Sequence, residues 1–463
     1  MQPRSSTTFL TRWWPVTGLT AGLALVGLLA ACGGGTNGVR VCSTSGQGSL
    51  TVSIAAPGGI TPEVLVTGPG GYQQTLSATQ TLTNVSAGSY LVETLRVTQP
   101  PSGGALVGTA YGANGDPVVS ACVTAAQTTT VARAYAQQSG SARLWAANEI
   151  GGAVVGYSAA DLAAGGTHAA AAVIDLTGST LNTTYGFQLA FGPSGSLWVS
   201  DPVGGGSASG QLLVFSQGQL ASSGSPVPDL TIEAAAFDGP GQLAFDGAGN
   251  LYLLDRGANQ ILEYTAGQVR QLLQGGGTVS TAPAYSYRGT VLVDPRAMAF
   301  DHLGNLWVVV DDSAVATGDV QLVRYDAASL GSGGTITPGY RIRGTTSSEI
   351  IGYEGLAFDA SGNLWVVGTG TYRYAASDLA GSGTTTTVTP AYSTATIGGS
   401  PQADTDAIDA AGNVWVTGNS QDLDRYYAAG PTAQSGWLTS ADLDYPMGLA
   451  LYPSPLSGTV PLR

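Results

Sequence analysis

The amino-acid sequence predicts an all-β protein: a six-bladed β-propeller closed by pairing of its N- and C-terminal strands, preceded by a small β-sandwich. Three observations predict this architecture. A two-strand pattern recurs along most of the chain, one copy of it is divided between the two ends of the repeat region, and short alternating strands come before it. The composition agrees, because a hydrophobic fraction of 43% is enough to fill a core.

The repeated pattern reads leucine-alanine-phenylalanine, then a turn containing aspartate and glycine, then leucine-tryptophan-valine. Each copy predicts two antiparallel strands around a type I turn that is followed by a residue with positive φ, where glycine is favoured. We therefore interpret the turn aspartates and asparagines as structural. The five complete copies are 189–199, 243–253, 298–308, 356–366 and 406–416.

A sixth copy is divided between the two ends of the repeat region. Arg143–Asn148 is a second strand with no first strand before it, and Met447–Tyr452 is a first strand with no second strand after it. Pairing these strands would close the ring and hide its edges. The aromatic residue of the pattern recurs every 50 to 58 residues, a period that predicts four strands per blade. It is Trp145, Trp198, Tyr252, Trp307, Trp365 and Trp415.

The chain divides into four predicted segments. Residues 1–31 are interpreted as a signal peptide, 32–48 as a lipidated cysteine with a flexible tether, 49–137 as the sandwich and 138–463 as the propeller. The turns within 66–90 resemble those of immunoglobulin-like or transthyretin-like modules of bacterial surface proteins. That resemblance implies a spacer domain.

The N-terminus predicts export. Arg4 and Arg12 precede an apolar stretch, Val16–Leu29, that is too short for a comfortable membrane span but typical of a secretory signal. The residues Leu29-Ala30-Ala31-Cys32 resemble the lipobox of bacterial lipoproteins. This implies cleavage before Cys32 and its lipidation, which would anchor the protein to the lipid bilayer of the cell membrane or outer membrane. The alternative is an ordinary signal peptide with a chance cysteine.

Two further cysteines, Cys42 and Cys122, remain after the predicted cleavage. Outside the cytoplasm an even pair is most simply a disulfide, and this one would tie together the two ends of the small domain. Two free buried thiols are the alternative.

The charge pattern excludes several functions. The net charge is −14, and the sequence contains no lysine, so all 16 basic side chains are arginine. Nucleic-acid binding requires a basic surface, and we expect none here. The absence of lysine also excludes a Walker-type phosphate loop and Schiff-base chemistry.

The repeat resembles the NHL-type propeller repeat and its relatives, the gluconolactonase/regucalcin family and the streptogramin lyases. The resemblance specifies a blade and leaves the activity open, because such propellers include enzymes, receptors and scaffolds. Gluconolactonase-like proteins hold a divalent cation in the channel, and Glu354 and Asp404 are the counterparts here of its acidic ligands. Streptogramin lyases use histidine, whereas His168 and His302 are expected to face solvent.

One group of polar residues is predicted at the channel. Alignment of the inner strands brings Glu354, Asp404 and Asp406 together, with Arg296 nearby on the ring. Oxygen ligands of this kind suit calcium, so the cluster is a candidate metal site. The alternative is a polar, water-filled channel mouth with an Arg–Glu ion pair.

Two functions remain from these observations. The first is a non-catalytic lipoprotein of the cell envelope, whose propeller is a binding module for an envelope protein or glycan. The alternative is a calcium-dependent, lactonase-like hydrolase or a lyase that acts at the propeller channel.

Overall fold

The chain forms two units, residues 1–41 and 42–463, and the described residues belong to the second. A computed structural model describes residues 42, 45–102, 105–149, 151–176, 188–202, 209–312, 319–343, 355–368, 370–394, 405–417, 422–426 and 434–453. Within these ranges, no helix is both long and apolar enough to cross a bilayer.

The first part of this unit is a sandwich of two sheets. Its strands are β1 (Gln47–Ala55), β2 (Val64–Gly68), β3 (Tyr72–Leu76), β4 (Gln80–Ser86), β5 (Gly88–Thr94), β6 (Val97–Gln99), β7 (Thr109–Ala113), β8 (Val118–Val123) and β9 (Thr128–Gln137). One sheet has the order β4-β1-β9-β7-β6 and the other β3-β2-β5-β8. Alternate residues of both sheets, such as Leu50, Val66 and Tyr90, pack into one shared core, as expected of strands that are buried on one face.

A disulfide joins Cys42 to Cys122 in β8, with their Cα atoms 5.6 Å apart. This confirms the predicted pairing. The bond closes a loop that contains most of the sandwich, and such a loop restricts the unfolded chain strongly.

The remaining strands form the propeller. They are β10 (Arg143–Asn148), β11 (Ala153–Ser158), β12 (Gly166–Thr167), β13 (Ala172–Asp175), β14 (Gln188–Phe191), β15 (Leu197–Asp201), β16 (Gln211–Phe215), β17 (Leu230–Ile232), β18 (Pro240–Phe245), β19 (Leu251–Asp255), β20 (Gln260–Tyr264), β21 (Gly277–Val279), β22 (Tyr285–Arg288), β23 (Pro295–Phe300), β24 (Leu306–Asp312), β25 (Asp319–Tyr325), β26 (Gly334–Thr335), β27 (Tyr340–Arg343), β28 (Gly355–Phe358), β29 (Leu364–Val367), β30 (Thr371–Tyr374), β31 (Gly383–Thr387), β32 (Tyr392–Thr394), β33 (Asp406–Ile408), β34 (Val414–Thr417), β35 (Asp422–Tyr426), β36 (Gln434–Thr439) and β37 (Pro446–Tyr452). Within the described ranges, three short α-helices accompany them: α1 (Ala159–Ala164), α2 (Ala266–Gly275) and α3 (Ala376–Leu379).

These strands make six sheets within the described ranges. Their orders are β37-β10-β11-β13, β14-β15-β16-β17, β18-β19-β20-β22, β23-β24-β25-β27, β28-β29-β30-β32 and β33-β34-β35-β36. The inner strands β14, β18, β23, β28, β33 and β37 contact one another in that order, and β37 returns to β14. This ring confirms the predicted all-β propeller. Its closing blade pairs β10 antiparallel with β37, as predicted for the divided repeat.

The tight turns follow the predicted geometry. Between the first and second strands of five blades, the turn glycine has a φ between 77° and 92°, a conformation that strains any residue with a side chain. These glycines are Gly195, Gly249, Gly304, Gly362 and Gly412.

Four blades gain a fifth strand at their outer edge. Each added strand runs parallel to the outermost strand of its sheet. The pairs are β21 with β17, β26 with β22, β31 with β27 and β12 with β36. In each case the added strand belongs to the following repeat. The exchange covers edges that would otherwise be open to other chains and joins each blade to the next.

Candidate functional site

A cavity of about 740 Å³ lies where the inner strands converge. Its wall is repetitive, because the same position of every inner strand is an alanine that lines the cavity. These residues are Ala190, Ala244, Ala299, Ala357, Ala407 and Ala450. Each alanine pairs across the sheet with the large aromatic residue of the second strand, for example Ala299 with Trp307. A small inner residue leaves room both for the aromatic ring and for the cavity.

The sandwich domain covers one end of this cavity. Residues Gly59–Thr61, Glu63 and Arg96–Pro100 of the sandwich contribute to the cavity lining. The backbone N–H of Arg96 donates to the carbonyl of Pro193, which lies in the first tight turn of the propeller, at 3.1 Å. The first domain therefore forms part of the cavity, a role that the predicted spacer did not include.

Buried polar contacts hold the two domains together. Arg270 of α2 lies 3.4 Å from the carboxylate of Glu93, which is 4% exposed. Burial raises the pKa of Glu93, and the charge and hydrogen bond of Arg270 oppose that rise. In the segment between the domains, the side chain of Gln138 donates to the carbonyl of Ser194 at 2.8 Å. This fixed connection keeps the sandwich in place over the cavity.

Asp406 lies in the cavity wall, at the position where the other inner strands carry leucine or methionine. Both its carboxyl oxygens are buried, and neither has a hydrogen-bond partner among the residues that the structure describes. They lie beside Gly355 of the neighbouring inner strand, where an added Cβ would be 2.8 Å from Oδ1. Burial raises the pKa of Asp406 to about 8. The residue lines the cavity, while its carboxyl group is packed between two strands.

Arg296 forms ion pairs with two aspartates. Its Nη2 donates to Asp294 at 3.0 Å and to Asp311 at 2.7 Å, and Arg256 also binds Asp294. Burial would raise the pKa of Asp294, but the hydrogen bonds and charges of the two arginines hold that pKa below its ordinary value. Arg296 is outside the cavity lining. It belongs to an ion-pair network that also includes Arg256, which follows β19 of the preceding blade.

The other predicted site residues, Cys32, Glu354 and Asp404, lie outside the described residues. Among the residues with described positions, no three histidine, cysteine, aspartate or glutamate side chains cluster as a metal site would require. The calcium site and the lipidation of Cys32 therefore stay predictions.

Sequence reasoning missed the cavity residues of the first domain, Glu63 and Arg96. A signal for that domain's position was present in the repeat. The first tight turn has Gly192 and Ser196 where four other copies have aspartate and asparagine. The segment between the two domains packs against this turn. An added Cβ at Gly195 would lie 2.5 Å from the side chain of Gln138, which belongs to that segment. A departure from the repeat thus indicates the surface on which the domains meet.

The fold and its cavity define the chain as a β-propeller protein whose channel is capped by a β-sandwich. No protein-family model matches it, and no curated protein is detectably similar in sequence. A streptogramin B lyase structure aligns at 13% identity over 54% of this chain and 68% of the other, with a TM-score of 0.34. A protein of unknown function from Bacteroides caccae aligns at 11% identity over 66% and 97%, with a TM-score of 0.45. The virginiamycin B lyase from Staphylococcus aureus aligns at 11% identity over 75% and 88%, with a TM-score of 0.37.

Proposed function

We propose that the protein is an exported lipoprotein of the cell envelope whose propeller binds a ligand without transforming it. The central cavity is the observation that carries this proposal. Its wall of alanine and larger apolar side chains offers burial to a small molecule, and the sandwich adds a few polar groups at one end. Ligand sites combine apolar walls with a small number of orienting polar groups.

Export and anchoring rest on the N-terminal sequence. Leu29-Ala30-Ala31-Cys32 resembles the lipobox, and Gly33–Gly38 would serve as a flexible tether between the lipid and the folded unit. The disulfide Cys42–Cys122 supports an oxidising compartment, where such bonds persist.

The test is to incubate the full chain, held in lipid nanodiscs, with a small-molecule extract of the cell envelope and to identify bound molecules by mass spectrometry. We expect one class of molecule to bind and to be released chemically unchanged. Ala190→Phe, which fills the cavity, should abolish this binding. Ala221→Phe, on an exposed surface segment, should leave it intact.

Catalysis would give a different result. If the bound molecule is converted, if conversion requires calcium, and if the double change Glu354→Gln with Asp404→Asn stops it, the protein is a metal-dependent enzyme and the binding role is wrong. Calorimetric titration of the chelator-treated chain with calcium measures the metal directly.

A further inference from the structure

Arg96 is the residue of the cap that is best placed to meet a ligand. It is half-buried and contributes to the cavity lining. Its guanidinium lies 5.4 Å from the centre of the Tyr452 ring, and Tyr452 stacks on Phe191 with ring centres 4.0 Å apart. The backbone bond to Pro193 fixes the strand that carries it. A stacked guanidinium keeps its N–H groups in one plane, where they can meet a carboxylate in two parallel hydrogen bonds.

Among the described residues that line the cavity, three carboxylates accompany Arg96. Asp246 already accepts hydrogen bonds within its own turn, from the backbones of Ala248 and Asn250 and from the Asn250 side chain. Glu63 belongs to the sandwich side of the lining, and the Asp406 carboxyl group is packed against Gly355 of the neighbouring inner strand. Arg96 therefore supplies a positive centre in a chain whose net charge is −14.

We propose that the cavity binds a small molecule with an apolar body and a carboxylate group. The carboxylate pairs with the Arg96 guanidinium, and the apolar body lies against the wall formed by the inner-strand alanines. This rests on the proposed binding function and specifies its ligand class. The cavity volume of about 740 Å³ accommodates a molecule of two or three fused or linked rings, or a medium-length chain.

The experiment compares three probes that differ in charge. Naphthalene-1-acetate carries the carboxylate, naphthalene-1-acetamide is its uncharged counterpart, and 1-naphthylmethylamine is cationic. Binding to the full chain in lipid nanodiscs is measured by calorimetry, with empty nanodiscs as the blank. We expect the acetate to bind about ten- to a hundredfold more tightly than the acetamide, the range for a charged hydrogen-bonded pair. The amine should bind least.

Arg96 variants identify the partner of the carboxylate. Arg96→Gln should remove the preference for the acetate, while Arg96→Lys should retain part of it because the charge remains. Arg288→Gln changes an exposed arginine outside the cavity and should have no effect. Thermal unfolding of each variant shows whether the domains are still folded and docked.

Three outcomes would overturn the inference. Equal binding of acetate and acetamide would leave the cavity as a ligand site but remove the selectivity for carboxylates. Binding of neither probe, or an undiminished preference in a folded Arg96→Gln protein, would also refute it. In these cases the binding function is decided separately, by the envelope extract and the cavity-filling variant.

Discussion

At the residue scale, Asp406 stands out because the equivalent residue of each other blade is apolar. Leu356 and Leu449, in the two adjacent inner strands, are buried with 5% and 6% exposure. Asp406 places a carboxyl group in the same setting, and within the described part of the chain neither of its oxygens has a hydrogen-bond partner. A charged group in such surroundings is strongly disfavoured, so folding favours the protonated acid.

This environment predicts that stability depends on pH. The pKa of Asp406 is about 8 in the folded chain, against an ordinary value of 3.8. Below 3.8 the acid is neutral in both states. As pH rises toward 8 only the unfolded chain loses the proton, so the folded state loses stability. Asp406→Leu should therefore stabilise the protein by an amount that grows with pH, to at most about 6 kcal/mol.

The measurement is urea unfolding of both proteins at pH 5, 7 and 9. Asp229→Asn serves as the control, because Asp229 is exposed at the start of a strand. It should change stability little at any of these pH values. A difference between Asp406→Leu and the original chain that is the same at pH 5 and pH 9 would contradict the prediction.

The prediction of site residues from sequence was limited by what a repeat alignment can show. It identified Asp406 as unusual and placed it correctly on an inner strand. It could not show that the carboxyl group packs toward Gly355, because that direction depends on the neighbouring strand. It also could not pair Arg296 with Asp311, which lies in β24 of the same blade, 15 residues away along the chain.

At the scale of elements, the tight turns are held by an aspartate that accepts several hydrogen bonds. Asp409 accepts from the backbones of Ala411 and Asn413, from the Asn413 side chain, and from Trp415 Nε1 at 3.0 Å. Asp301 and Asp359 bind their tryptophans in the same way. The turn thus also satisfies the indole N–H of a fully buried ring.

The first blade shows what happens without this aspartate. Gly192 stands at the aspartate position, and the buried Nε1 of Trp198 has no hydrogen-bond partner among the described residues. An added Cβ at Gly192 would lie 2.9 Å from that nitrogen, so the indole occupies the space of the missing side chain. The blade formed by β14–β17 therefore lacks the aspartate–indole hydrogen bond, and the segment between the domains packs on its turn instead.

We expect Asp409→Ala to lower the free energy of unfolding by more than Asp246→Ala does. Both aspartates hold a turn, but Tyr252 takes the place of the tryptophan after Asp246. Only Asp409→Ala leaves a buried indole N–H unsatisfied, which should cost about 1 to 3 kcal/mol more. Chemical denaturation of the two variants measures the difference, and equal losses would show that the indole bond contributes nothing.

Elements with strong local signals were predictable from the sequence, and weak ones were not. The recurring tryptophans and turn glycines gave the inner two strands of each blade. The added outer strands are as short as the two residues of β12 and β26, too short to show an alternating pattern. The helices α1 and α2 begin with capping boxes, Ser158 with Asp161 and Thr265 with Gln268, which are readable in sequence.

At the scale of the whole molecule, arginines connect one blade to the next. Arg324 lies over the Trp307 ring and donates to the carbonyl of Leu379, the last residue of α3 in the following blade. Arg425 similarly donates to Leu162 of α1. A guanidinium can stack on an aromatic ring and still donate hydrogen bonds at its edge, which an ammonium group does less well. This use fits a chain whose basic residues are all arginine.

Closure of the ring depends on a single strand, β37. It pairs with β10 over Arg143–Asn148, and its Leu449, Leu451 and Tyr452 are 6%, 4% and 0% exposed. Tyr452 also stacks on Phe191 of the neighbouring inner strand and lies beneath Arg96 of the sandwich. Strand β37 therefore completes the blade that contains β10, forms part of the cavity wall and contacts the sandwich domain.

Removing this strand should abolish cooperative folding. A chain that ends at Tyr445 loses three buried side chains at about 2 to 3 kcal/mol each, together with the strand pairing, which approaches the whole stability of a typical domain. It also exposes β10 as an open edge, so the protein should self-associate. A chain that ends at Pro453 keeps β37 and is the matched control. Calorimetry and size-exclusion chromatography of the two chains compare them directly. A single sharp transition in a monomeric chain without β37 would show that the remaining sheets hold the ring without it.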